Sequence, residues 1–283
     1  MKNVIAGLVL SAPIPQNQLD IFAGEWAYKI PIAGTESGVG PGFLHKHPCI
    51  WLCEQAFGSL HGMNCLELGP NEGEVSYHLH HASCREVIAI EARVRSYLKC
   101  LIAKNLLHLH SVQFELGDFV KHLETVNREY DLCLAAGVLY HMEDPVRILE
   151  LICRKAKRVA IATHYFDPSI LTYDPKVDQS GLPTAIWNFP NPEGEERSYA
   201  GKTIKYYKYF YATNKEGHET YGHGGTEMFA NMITRNDLFM LLDHFGMRLV
   251  GDIRDEPQGA RGPFINLVAE RKTNGPVWSN NIS

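Results

Sequence analysis

The chain has 283 residues, 45% of them hydrophobic and 21% charged, and a formal net charge of −5. That length suits one large domain, or one domain with an appendage, around a sizeable core. No run reaches the ~20 apolar residues of a membrane span, and the acidic balance provides no overall attraction for nucleic acid or an anionic membrane.

Residues 1–60 carry scattered Gly and Pro and read as an N-terminal cap segment, with one helix over 48–57. The opening "MKNVIAGLVLSAPIP" has a short apolar stretch, but Lys2 is its only basic residue and prolines crowd any cleavage site, which argues against a secretion signal. From 61 onward, short apolar runs alternate with helical ones. Strands are expected at 63–69, 86–92, 111–119, 130–140 and 157–166, and helices at 73–82, 93–108, 120–127 and 145–156. This alternation builds βαβ units and a parallel sheet. Residues 167–229 break the rhythm with Pro168, Pro175, Pro183, Pro190 and Pro192 and a run of glycines, and read as an insertion that covers the acceptor site as a lid. A helix over 234–246, with Thr234 as N-cap and Gly246 at its end, leads into a terminal hairpin of strands at 247–253 and 264–270. The expected fold is α/β: a seven-stranded, mostly parallel, Rossmann-like sheet with helices on both faces. The core is 61–166 plus 230–273. Seven cysteines, mostly inside apolar runs, read as core residues of a reducing compartment, so the expected location is cytoplasmic.

Ligands of such sheets sit at the carboxyl ends of the strands. After the first strand comes "LELGPNEGEVS", where Gly69 and Gly73 allow a tight turn and the following helix presents free N–H groups. Glu67 beside the turn does not suit a diphosphate, and the G-x-G-x-x-G pattern is incomplete. A carboxylate there suits a ligand with an ammonium group, such as the methionine part of S-adenosylmethionine. Glu91 ends the second strand, placed to accept both ribose hydroxyls. Asp118 and Phe119 end the third, placed to accept from an adenine amino group and to stack on the ring. A strand-end acid alone is an ordinary turn residue. Three in this order are a pattern.

On these residues the chain resembles the class I S-adenosylmethionine-dependent methyltransferases: "LELGPNEG" looks like their first motif, "IAIEA" their ribose-binding acid and "GDF" their adenine-binding strand end. The resemblance implies S-adenosyl-L-methionine as cofactor, held by Glu67, Gly69, Pro70, Gly73, Glu91, Ala92, Asp118, Phe119, Gly137 and Val138. "GVLYHMEDPVRIL", with "YLKCLIAKNLL" before it, is similar to the transferases that carboxymethylate the wobble uridine of tRNA. The pattern around "GEWAYKIP" resembles bacterial methyltransferases of polysaccharide or natural-product pathways.

A methyl acceptor with a hydroxyl needs a base near neutral pH, and histidine suits that role. His141, after the fourth strand, is the first candidate and His164, after the fifth, the second, with Tyr165 as an orienting group. Glu143, Asp144 and Pro145 equally suit the start of a helix. Among fourteen histidines, "HLHHASC" places His78 and His81 three apart on a helix, but no third and fourth ligand is evident, and no metal is expected. Lys202, Lys205, Lys208 and Lys215 among aromatics read as an amphipathic strand with lysines outward, ahead of a stacking surface for single-stranded nucleic acid. "YGHGGTEMF" reads equally as a closing loop or a plain turn. The leading expectation is O-methylation of a small molecule or sugar. The alternatives are a tRNA-modifying methyl or carboxymethyl transferase and a catalytically silent nucleotide-binding scaffold. The acceptor is a small molecule, with nucleic acid less favoured, no membrane partner, and the oligomeric state left open.

Overall fold

In a computed structural model, residues 7–172, 189–210, 225, 227–259 and 262–274 are described. A short helix, α1 (Pro15–Leu19), and α2 (Pro48–Phe57) precede the sheet. The parallel strands are β1 (Asn64–Leu68), β2 (Glu86–Glu91), β3 (Val112–Leu116), β4 (Leu132–Ala136) and β5 (Arg158–His164). Between them run α3 (Glu74–His81), α4 (Val94–Leu107), α5 (Phe119–Thr125) and α6 (Pro145–Lys155). A separate antiparallel sheet follows, β6 (Glu195–Tyr199), β7 (Lys202–Phe210) and β8 (Phe229–Met232), then α7 (Arg235–His244) and the closing strands β9 (Met247–Glu256) and β10 (Phe264–Arg271). The seven-stranded order is β3-β2-β1-β4-β5-β10-β9, with β10 antiparallel to both neighbours. The seven strands, the mostly parallel sense and the terminal hairpin agree with the sequence expectation.

Alternating strand residues feed two cores. Leu66, Ile88, Cys133, Ile161 and Leu267 face α5, α6 and α7. Cys65, Val87, Leu134, Ala162 and Val268 face α2, α3 and α4. Both sets are buried, as the near-continuous apolar runs of a two-sided parallel sheet require. All seven cysteines are buried free thiols. No helix of the described residues is long and apolar enough to cross a membrane.

Helix ends follow their caps. Thr234 accepts from the Asp237 amide at 3.1 Å and Asp144 from Arg147 at 3.0 Å. The fourth strand is shorter than the 130–140 run of its sequence. It stops at Ala136 because Gly137 takes φ +76°, and a 3-10 turn, Leu139–His141, follows. The inserted region contributes a sheet, and its β7 is the amphipathic strand expected around Lys202, Lys205 and Lys208. Tyr206, Tyr207 and Tyr209 of β7 are buried, while Lys205 and Lys208 are half-buried. Lys215 and most of "YGHGGTEMF" lie outside the described residues.

Candidate active site

The strand order reverses between β1 and β4, and the carboxyl edge at such a point is where open α/β sheets bind their ligands. Each strand makes one last ladder bond into its turn: Gly69 N to Ile90 O at 2.9 Å, Gly117 N to Glu91 O at 2.9 Å, and Gly137 N to Ala162 O at 2.8 Å. The turns after β1 and β4 touch, since a Cβ on Gly69 would lie 3.4 Å from Val138 Cγ2. Gly73 has φ +87°, and any Cβ there would meet the Phe114 ring at 3.1 Å. Asn71 adopts φ +54°, a left-handed geometry that asparagine tolerates better than most side chains.

Three acids surround this turn. Glu67 is 2% exposed, accepts from the Ser76 hydroxyl, and makes no ion pair with a described Lys, Arg or His. Burial pushes its carboxyl up to about 8, against the Ser76 hydrogen bond and with help from Glu74 and Glu91. Glu74, at the start of α3, is pushed up to about 7 by burial and by Glu72. Glu91 accepts from Asn71 N at 3.1 Å and Arg93 N at 2.8 Å, and burial raises its carboxyl despite those bonds. Buried acids crowded around one turn make a donor set that fits a cationic ligand. Pro70 is buried under the turn and Ala92 is exposed beyond Glu91.

Asp118 is exposed and caps α5, accepting from Val120 N at 2.7 Å. Phe119 packs partly against the core beneath α5 and α6. Both stand at the end of β3, in line with Glu67 and Glu91.

On the β4 side of this edge, the inserted sheet clasps the segment after β4. The Tyr209 hydroxyl donates to Tyr140 O, Asn231 N to Met142 O at 2.9 Å, and Asn231 Nδ2 to Glu143 O at 2.6 Å. The Tyr206 hydroxyl donates to Asp144 Oδ1 at 2.9 Å. Asp144 of "YHMEDP" therefore belongs to the start of α6 and its clasp.

The imidazoles lie elsewhere. His141 and His164 flank one ring, that of Tyr140, at centroid distances of 4.0 and 4.8 Å. His164 is 9% exposed and also packs edge-on against Phe264 at 4.7 Å. Its Nδ1 lies 3.0 Å from Pro263 O, an acceptor only, so Nδ1 carries a proton. Tyr165, the next residue, turns into the core on the opposite face. Its hydroxyl donates to Asp255 Oδ1 at 2.8 Å, and Asp255 pairs with Arg235 at 2.6 Å. The tyrosine that stands between the two histidines is Tyr140, which the sequence reading passed over.

Also missed were Glu72 and Lys99. Glu72 is fully buried within the turn and pairs with Lys99 Nζ of α4 at 2.9 Å. A lysine beside the buried Cys100 and Ala103 was the available signal. His78 and His81 do not act together: His78 Nε2 bonds Gly42 O at 3.0 Å, and His81 packs 4.2 Å from the Tyr77 ring.

Comparison with known proteins follows this geometry. The family described as a methyltransferase domain matches residues 59–207. A tRNA U34 carboxymethyltransferase of Campylobacter hominis is 28% identical over 94 residues, 33% of this chain and 32% of that protein. The chain thus matches about a third of that relative's length. Among solved structures, the N-terminal domain of EvdMO1 in the presence of SAH and D-fucose is similar at a TM-score of 0.61, with 17% identity over 91% of this chain and 95% of that one. The 1,6-didemethyltoxoflavin-N1-methyltransferase of Burkholderia thailandensis is similar at 0.50, with 12% identity over 82% and 78%. At such identities these structures speak for the fold.

Proposed function

Because the chain belongs to the methyltransferase-domain family, whose match takes in half of it, we propose that it transfers a methyl group from S-adenosyl-L-methionine to a hydroxyl of a small molecule or sugar. The observation that carries this reading is the row of acids Glu67, Glu91 and Asp118 at successive strand ends, around a turn with left-handed Gly69, Asn71 and Gly73. Bound there, the cofactor supplies an electrophilic methyl on a sulfonium. Glu67 would meet the ammonium group, the Glu91 oxygens the ribose hydroxyls, and Asp118 and Phe119 the adenine. Gly69, Pro70, Gly73, Ala92, Gly137 and Val138 would shape the walls.

With the methyl already activated, the protein's remaining tasks are to align the acceptor and remove its proton. His164 is the base we favour, because Pro263 O fixes its ring through Nδ1–H and strand alternation puts it on the same sheet face as Glu67. His141, across the Tyr140 ring, is the second candidate. Tyr165 holds the end of β5 through Asp255 and would act on the histidine only by that route. The region 167–229, whose β7 clasps the segment after β4 through Tyr206 and Tyr209, would cover the acceptor. The similarity to a structure determined with SAH and D-fucose supports a sugar-sized acceptor.

The 94-residue likeness to a tRNA-modifying enzyme favours a second reading, transfer to a nucleic-acid base. One experiment separates the two: incubation with labelled S-adenosylmethionine and either a panel of hydroxylated sugars or bulk tRNA. Label in the sugar fraction supports the proposal, and label confined to tRNA replaces it.

A further inference from the structure

We propose that Glu72 is a positioning residue of the cofactor site: it ties the N-terminal segment 25–28 to the glycine turn, so that seating of this segment and binding of the cofactor are one coupled event. This rests on reading the turn as the S-adenosylmethionine site.

The Glu72 carboxylate lies between Asn71 and Gly73, inside the turn itself. It accepts from Ala27 N at 2.9 and 3.1 Å and from Tyr28 N at 3.1 Å. Its other partner, Lys99 Nζ at 2.9 Å, also donates to Glu25 O, so both charges grip the same four residues. The Lys99 ammonium sits 5.5 Å from the Trp26 ring and 5.8 Å from Phe22, and the Trp26 indole N–H is bonded to Leu19 O at 2.9 Å. At the surface, Arg95 pairs with Glu25 at 2.6 Å.

The same peptide is held from below. Asn71 N donates to Glu91, and Cys100 Sγ lies 3.2 Å from Asn71 O. Glu72 follows Asn71 directly, so the backbone that carries its carboxylate also carries the Asn71 N–H that bonds Glu91. A core built for stability alone fills such a place with apolar side chains, since burying an ion pair returns little net free energy. An ion pair placed within a binding turn, and bonded to backbone amides of a remote segment, instead fixes one geometry of both. Coupling of this kind is reciprocal: whatever orders the turn also orders the segment, and the reverse.

The test is amide hydrogen exchange on the unmodified protein with and without S-adenosylhomocysteine, alongside calorimetric titration of wild type and Glu72→Gln. The expected result is about tenfold slower exchange at Ala27 and Tyr28 on ligand binding, and at least tenfold weaker binding by Glu72→Gln. Binding by wild type with unchanged exchange at 27 and 28 overturns the coupling and leaves the site reading intact. Undiminished affinity of folded Glu72→Gln does the same. Should that variant fail to fold, the exchange of wild type decides alone. Absence of binding by wild type removes the site reading and the coupling with it.

Discussion

The two halves of the carboxyl edge are built in opposite ways. Beside β1 and β2, the polar groups are acids: Glu67, Glu72, Glu74 and Glu91 crowd one turn, and only Glu72 has a buried cation, Lys99. Beside β4 and β5, the polar groups are imidazoles and a phenol ring, with Asp144 of the segment drawn away to cap α6 and bond Tyr206. The first half holds carboxyls whose ionisation burial resists, Glu67 keeping its proton up to about 8, and a cationic ligand that favours the carboxylate form suits it. The second offers imidazoles and aromatic walls, which suits an uncharged acceptor losing a proton. Binding and proton removal are thus assigned to different residues, and substitutions should separate them.

The largest expected effect lies in the second half. His164→Ala should lower kcat by ~10²–10⁴ while leaving cofactor affinity close to that of wild type. His141→Ala tested beside it identifies the base, and full turnover by both variants would mean that positioning alone supports the rate.

Next is the first half. Glu91→Ala removes an acceptor of two backbone amides together with the proposed ribose contacts, and charge-assisted bonds are worth about 1.5–3 kcal/mol each. Calorimetry should show at least tenfold weaker binding of S-adenosylhomocysteine.

A smaller, pH-dependent effect sharpens the contrast. The folded chain holds the Glu67 proton up to about 8, whereas the unfolded chain releases it near 4.5. The contribution is therefore present in full below 4.5 and is lost as pH rises toward 8. Buried histidines act oppositely, because His47 is pushed down to about 4 and His78 is also lowered by burial, but their effect is complete by about 6.5. Between pH 6.5 and 8, thermal unfolding of the ligand-free protein should shift downward, and Glu67→Gln should flatten that slope. A bound ammonium favours the carboxylate, so ligand affinity should rise over the same interval by less than tenfold per unit.

These expectations also mark what the sequence could and could not disclose. The positions of Glu67, Glu91 and Asp118 were legible because each follows from local alternation: they stand at or just beyond the last residues of β1, β2 and β3, at the carboxyl edge of the sheet. Glu72 was not, because its role depends on residues 27 and 99, which only the folded chain brings to it. His164 was legible as a residue, but the contact that fixes its ring is with Pro263, 99 positions away. Tyr165 looked like its neighbour's partner, yet adjacent strand residues face opposite sides, and the hydroxyl finds Asp255 instead. The β7 strand of the inserted sheet was legible from its alternating lysines and aromatics, whereas β8 was not, because it pairs with β7 across a long stretch of chain.

The smallest effect concerns that inserted sheet. Tyr206→Phe removes one hydrogen bond to Asp144 and should cost about 1 kcal/mol of stability, read by denaturant unfolding, with cofactor affinity untouched.

The separation of binding from proton removal is tested most directly by titrating S-adenosylhomocysteine calorimetrically into wild type, Glu91→Ala and His164→Ala under one set of conditions. The division described here requires binding by wild type, at least tenfold weaker binding by Glu91→Ala, and wild-type affinity in His164→Ala. Equal affinity of all three proteins, or loss of binding in His164→Ala alone, would contradict it.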